Sequence, residues 1–133
     1  MKTSQSNSPK NIIESWADFF NSRNVEGILS LYDNNSVLLP TFLPGILSTK
    51  DQIKDYFVRA IQSNVRVEID QNQTLVKEIS KNNYVLSGSY FFIINKENDI
   101  KYNSRFTFLV NMESKSPIKH HHSSRVPFEL ALV

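Results

Sequence analysis

The chain has 133 residues, 40% hydrophobic and 21% charged, with 15 basic and 13 acidic side chains and a formal net charge of +2. That is the length of one ordinary domain able to bury a core unaided, and no apolar run approaches the about 20 residues that a membrane-spanning helix needs. Cysteine is absent, which closes thiol nucleophiles, disulfides and cysteine metal sites, and the basic residues are interleaved with Asp51, Asp55, Glu68 and Glu78 rather than gathered in a stripe, so neither nucleic acid nor a membrane is an expected partner.

Residues 1–7 are small and polar, with one lysine and no apolar segment of the kind a secretion signal carries. They read as a disordered tail ahead of a single domain spanning residues 8–133, with a cytoplasmic location as the expectation. Ser8-Pro9 signals a helix start, serine as N-cap and proline at the first helical position. Ile12, Ile13, Trp16, Phe19 and Phe20 then recur at helical spacing. Asn24 reads as a second N-cap, followed by Val25, Ile28, Leu29 and Tyr32 on one face of a short helix that stops near Asp33-Asn34-Asn35. Ser36 to Leu39 is a short strand candidate ended by Pro40. Thr41 to Leu47, with Pro44-Gly45 inside it, is a loop whose apolar residues cover something. A capping box, Thr49 with Gln52 or Ser48 with Asp51, opens a third helix through Ile53, Tyr56, Phe57, Ala60 and Ile61 to about Gln62.

The remainder reads as strands. Val65, Val67 and Ile69 alternate with polar residues, and Gln71-Asn72-Gln73 reads as a bulge before the strand resumes from Leu75 to Ile79. Turn residues at Lys81-Asn82-Asn83, at Asn95 to Asp99 and at Glu113 to Pro117 separate three further strands. The expected architecture is α+β: three N-terminal helices on one face of a curved, mainly antiparallel sheet, with the strand before Pro40 at an edge. Residues 84–94 and 106–110 are apolar on both faces, and helices cover only one. A second copy of the chain is therefore expected on the other face, in a homodimer or larger ring, unless Gly88 marks a bulge at which two sub-faces exchange burial.

The last strand holds all three histidines. Its flanks, Pro117-Ile118 before and Val126 to Leu130 after, read as native sequence rather than an appended tag. Alternation puts His121 and Ser123 on one side and His120, His122 and Ser124 on the other, a second polar face. His121 beside Ser123 is the candidate acid/base or hydrogen-bonding pair, because imidazole titrates near neutrality. His120 and His122 lack a third ligand nearby, so no metal is expected. Arg105, in an apolar strand, reads as a buried guanidinium needing a ligand or a carboxylate such as Asp33 or Glu14. Gly27, Gly45 and Gly88 are too isolated to cradle a nucleotide's phosphates.

Several of these residues together carry a family resemblance: Trp16, Leu31-Tyr32-Asp33, Leu38-Leu39-Pro40-Thr41, Tyr56-Phe57, Ser87-Gly88 with Tyr90, Arg105 to Phe108, and His121-His122-Ser123-Ser124 with Pro127. The chain resembles the small SgcJ/EcaC group, a SnoaL-like relative of the calcium/calmodulin-dependent protein kinase II association domain. The resemblance implies a cystatin-like, cone-shaped roll of the nuclear transport factor and ketosteroid isomerase superfamily, without the kinase. It implies a pocket between helices and sheet lined by Arg105, His121, Ser123, Tyr90, Trp16 and Tyr56. Tyr90 and Ser123 stand where that domain has arginines, and Ser116 where the family usually has tryptophan. Two functions fit the resemblance. One is a self-associating module binding a small organic molecule. The other is a cofactor-free isomerase, dehydratase or cyclase of the SnoaL type, using His121 or a carboxylate as base.

Overall fold

The computed structural model describes residues 8–95 and 99–127; the expected tail, the tip of the turn after Asn95 and the end of the expected domain lie outside them. Three helices come first, α1 (Pro9–Asn21), α2 (Val25–Leu31) and α3 (Lys50–Gln62). Each starts where the local chemistry directs. Pro9 opens α1, the Asn24 side chain accepts from the Gly27 amide at 2.9 Å, and Thr49 and Gln52 form the reciprocal capping box of α3. One expected detail differs: Ser8 makes no side-chain cap, and its backbone carbonyl instead accepts from the Asn11 amide at 2.9 Å. A Cβ on Gly27 would meet the Phe19 ring at 2.5 Å, so glycine lets α2 lie against α1.

Six strands form one sheet: β1 (Tyr32–Leu39), β2 (Val65–Ile69), β3 (Leu75–Ser80), β4 (Asn83–Asn95), β5 (Asp99–Asn111) and β6 (Ile118–Arg125). The order is β1-β6-β5-β4-β2, with β3 also paired to β4. All pairings are antiparallel except β1 with β6. Two expectations are corrected. Tyr32 opens β1 instead of closing α2, because the chain crosses to β6 there and Tyr32 registers with Ile118. The bulge expected at Gln71-Asn72-Gln73 is a 3-10 turn separating two strands, with Asp70 accepting from the Asn72 amide at 3.1 Å.

The handover from β2 to β3 occurs at the middle of β4. There a Cβ on Gly88 would lie 2.7 Å from both the Gln73 carbonyl oxygen and the Phe106 ring. Gly88 is thus the point where backbone crosses close over the sheet, and β4 keeps unbroken register with β5 through it. The free edge of β2 is closed by side chains: Asn21 exchanges two hydrogen bonds with the Val67 backbone, and Arg23 donates to the Val65 carbonyl. Such an edge cannot template further strands.

The helices lie on one face of the sheet. Ile13, Trp16 and Phe20 of α1, Ile28 of α2, and Ile53 and Phe57 of α3 pack with Leu86, Tyr90 and Phe92 of β4 and Phe106, Phe108 and Val110 of β5 in one buried cluster. Alternation sends Val85, Ser87, Ser89, Arg105, Thr107 and Leu109 to the outer face.

Candidate functional site

At the centre of the helix-covered face the strand registers stack polar side chains among aromatic ones. His121 lies opposite Phe108 on β5 and Leu38 on β1, and Ser123 lies opposite Phe106. The His121 ring stacks on Phe108 at 3.8 Å between centroids and meets Trp16 edge-on at 5.5 Å, and Trp16 in turn stacks on Tyr90 at 5.6 Å. His121 is 2% exposed and Tyr90 and Tyr32 are fully buried, so each polar atom here must find a protein partner.

They do so in a single chain. Trp16 Nε1 donates to the Tyr32 hydroxyl at 3.1 Å, and that hydroxyl lies 2.8 Å from His121 Nδ1. His121 Nε2 lies 3.0 Å from the Tyr90 hydroxyl, which donates to Ser123 Oγ at 2.6 Å, and Ser123 Oγ makes a short contact with Thr41 Oγ1. The indole can only donate. Tyr32, accepting from it, places its one proton on His121 Nδ1; satisfaction of the chain then assigns the imidazole proton to Nε2, which donates to Tyr90. Ser123 accepts from Tyr90 and ends the chain in a hydroxyl–hydroxyl hydrogen bond with Thr41 that either oxygen is able to donate. From Trp16 to Ser123 every donated proton points the same way, away from helix α1.

Burial reinforces this state. It pushes the His121 pKa well below its ordinary value, helped by the like charges that His120 and His122 would place beside an imidazolium. It also raises Tyr32 and Tyr90 far above the usual phenol range. The chain of groups is therefore neutral and has both imidazole nitrogens engaged. The space beside it, bordered by Thr41, Tyr56, Phe57, Tyr90, His121 and Ser123, is about 10 Å³, room for no more than a single water.

The open space lies further along. A cavity of about 280 Å³ runs between the loop after β1, α3 and the ends of β2 and β4, lined by Phe42, Leu43, Tyr56, Arg59, Ala60, Ser63, Val65 and Ile94. Tyr56 borders both spaces, its pKa pushed up to about 12 by burial against a backbone hydrogen bond with Phe42. Phe42, 36% exposed, stands edge-on to Phe92 and Tyr102 and closes the wall of this groove. The loop is held in place by mutual backbone hydrogen bonds of 2.9 Å between Leu38 and Leu47.

Of the expected pocket residues, Trp16, Tyr90, His121, Ser123 and Tyr56 converge, whereas Arg105 does not. Phe106 and Phe108 point inward, so the two-residue period turns Arg105 out to solvent, where a guanidinium escapes the cost of burial among aromatic rings. The partners expected for it are also corrected: Asp33 accepts from Lys119 at 2.9 Å, and no ion pair joins Arg105 to Glu14. Arg105 instead shares the outer face with His122 and Ser124. Tyr32 and Thr41, the two members of the hydrogen-bonded chain not singled out as site residues from sequence, come from the β1 edge and the loop after it. Among the described residues, no group of three His, Cys, Asp or Glu side chains is placed to hold a metal, and no helix is long and apolar enough to cross a membrane. The missing tryptophan at Ser116 is replaced by a turn in which Ser116 Oγ donates to the Ser30 carbonyl at 3.0 Å.

Solved structures share this architecture. A protein of Xanthomonas campestris assigned to the calcium/calmodulin dependent protein kinase II association domain is 24% identical, with a TM-score of 0.81 over 90% of this chain and 86% of its own. An uncharacterised protein with a cystatin-like fold from Caulobacter vibrioides is 11% identical, with a TM-score of 0.76 over 92% of this chain and 90% of its own. A ketosteroid isomerase-like protein from Erwinia carotovora atroseptica is 12% identical, with a TM-score of 0.70 over 89% of this chain and 93% of its own. At these identities the likeness shows the fold: the α+β architecture is cystatin-like. No curated protein matches the sequence. The model of the calcium/calmodulin dependent protein kinase II association domain family, however, matches residues 7–127, nearly the whole chain, and the chain belongs to that family.

Proposed function

We propose that the chain is a self-associating module that binds a small, largely apolar organic molecule in the groove between α3 and the loop after β1. The observation that carries this reading is the closed polar core. General acid/base catalysis needs a titratable group facing a reacting atom. His121 has both nitrogens occupied, is held neutral, and adjoins a space of about 10 Å³. The groove is the space that suits a ligand: apolar along Phe42, Leu43, Ala60, Val65 and Ile94, with Arg59 and Ser63 to orient a polar end.

Self-association is supported by the family of association domains and by the outer sheet face. Leu75 is 69% exposed there, and the half-buried Val85 and Leu109 extend this apolar band, with Val37 and Leu39 on the same face beyond His120 and His122 of β6. Two copies meeting through this band would shelter it.

A second reading, a cofactor-free isomerase, dehydratase or cyclase, draws on one observation: the Ser123 and Thr41 hydroxyls border the small void and end the proton-directed chain. A carbonyl drawn in there would meet hydroxyl donors, on a fold shared with a ketosteroid isomerase-like protein. It lacks a free base, so the binding reading is preferred.

Native mass spectrometry of the protein as purified, with 1-anilinonaphthalene-8-sulfonate titration followed by fluorescence, tests both halves. The expected result is an oligomer that dissociates in Leu109→Glu and a dye site weakened at least about tenfold by Ala60→Trp, which fills the groove. A monomer at micromolar concentration would contradict the first half, and unchanged dye binding in Ala60→Trp the second.

A further inference from the structure

The groove and the buried hydrogen-bonded chain meet at one place, the start of the loop after β1. Thr41, half-buried, is bonded to Ser123 Oγ at the end of the chain, and the next residue, Phe42, forms a wall of the groove. Ser123 itself is buried on β6 and does not line the groove. A core side chain is thus one hydrogen bond and one peptide unit away from the surface that a ligand in the groove would touch.

The far side of the loop gives Phe42 little support. Backbone hydrogen bonds between Leu38 and Leu47 join its ends, but the turn between them stands open: Gly45 has φ +95° with nothing within 4 Å of where a Cβ would lie, and Ile46 is exposed. The contacts at the Phe42 end are specific. Tyr56 has a hydrogen bond with the Phe42 backbone, and the Phe42 ring stands edge-on to Phe92 at 5.3 Å and to Tyr102 at 5.6 Å. Thr41, Tyr56 and Phe92 all border the void of about 10 Å³, and Tyr56 and Phe42 border the groove of about 280 Å³. The partition between the two spaces therefore stands where Thr41 is tied, and a shift of Phe42 would change the size of the larger one.

We propose that Thr41 and Ser123 are positioning residues for the groove: their hydrogen bond fixes where the Phe42 wall stands, and so sets the size of the molecule that the groove accepts. This assignment rests on the groove being the ligand site, and adds to it a buried determinant of selectivity. A wall held in place before the ligand arrives costs no ordering on binding. Threonine suits the task, because its branched β-carbon restricts χ1 while its hydroxyl makes the bond. The occupants it favours are compact apolar molecules that fill the space against Phe42, and bulkier ones are admitted only when the wall moves.

The test compares two dyes on the full chain, 1-anilinonaphthalene-8-sulfonate and its bulkier dimer bis-anilinonaphthalenesulfonate, counting the binding that Ala60→Trp removes. Thr41→Val keeps the shape of threonine without its hydroxyl, and Ser123→Ala removes the other partner. In both, the smaller dye is expected to bind at least about threefold more weakly, the size of one lost hydrogen bond, while the dimer loses less or gains. Thr41→Ser, which keeps the hydroxyl, is expected to hold the parent ratio of the two affinities. Ile28→Val, which trims the core at α2, is expected to leave that ratio unchanged while lowering stability. In the ligand-free protein, nuclear Overhauser effects between the Phe42 and Tyr102 rings are expected to weaken in Thr41→Val and persist in Thr41→Ser. The proposal is overturned if either the ratio or these ring contacts in Thr41→Val match the parent, if Ile28→Val moves the ratio as much, or if Thr41→Ser behaves as Thr41→Val. Dye binding that ignores Ala60→Trp would sink the ligand reading by itself; the ring contacts then decide whether Thr41 holds the wall, and their persistence in Thr41→Val overturns the proposal.

Discussion

His121 and His122 are neighbours on one strand and share nothing else. His121 points into the aromatic core, 2% exposed, with a tyrosine on each nitrogen; His122 points to solvent beside Arg105, with its ring uncommitted. The difference shows how a sheet sorts identical side chains into different chemistry. On the covered face, burial and a donor-only indole fix an imidazole in one neutral form and make it a structural part. On the outer face the same ring makes no hydrogen bond or ion pair among the described residues. Position along the chain decides between them by a single residue.

The largest effect follows from breaking the covered half. His121→Ala removes a ring stacked on Phe108, the acceptor of the Tyr32 proton and the donor to the Tyr90 hydroxyl, and is expected to cost about 3–5 kcal/mol in urea unfolding. His122→Ala is expected to stay within about 0.5 kcal/mol of the parent. Equal losses in the two variants would end the distinction. Tyr90→Phe, which keeps the aromatic packing but strands the His121 Nε2 proton and removes the donor to Ser123, is expected to cost an intermediate amount, about 1–3 kcal/mol, measured in the same way.

A smaller effect appears with pH. His121 is depressed in the folded chain relative to its ordinary value of 6.5, so on acidification the unfolded chain takes up a proton that the folded chain refuses. The stability it contributes is whole above about pH 6.5 and falls below that by up to about 1.4 kcal/mol per pH unit, until the folded pKa is reached. Unfolding free energies collected from neutral pH to about pH 5 are expected to show this slope, and His121→Gln to lack it. A slope of the opposite sign would mean that the buried ring gains a proton on folding.

Much of this was legible in the sequence, for reasons that separate local from distant causes. The three helices are set by caps and spacing within a few residues, as at Thr49 with Gln52, and nothing distant overrides them. The placement of His121 and Ser123 apart from His120, His122 and Ser124 follows from alternation alone. Arg105 had the same signal, since inward Phe106 and Phe108 turn it outward, but the resemblance to a pocket arginine outweighed it. Tyr32 fits the helical series Val25, Ile28, Leu29, and only its pairing with Ile118, 86 positions further along the chain, draws it into a strand. Thr41 belongs to a loop, whose path no periodicity records; the partner that fixes it, Ser123, is distant in sequence.

The central claim is that His121 is a neutral imidazole carrying its proton on Nε2, locked by the one-way chain from Trp16 to Ser123. Long-range 1H–15N NMR of the histidine rings tests it most directly. The account predicts, for His121 alone, a protonated Nε2 and a bare Nδ1 that persist from about pH 8 down to about pH 5, well below the pH at which an ordinary imidazole titrates. A proton on Nδ1, or a His121 titration centred near the ordinary value, would contradict the directed chain and restore His121 as a candidate base.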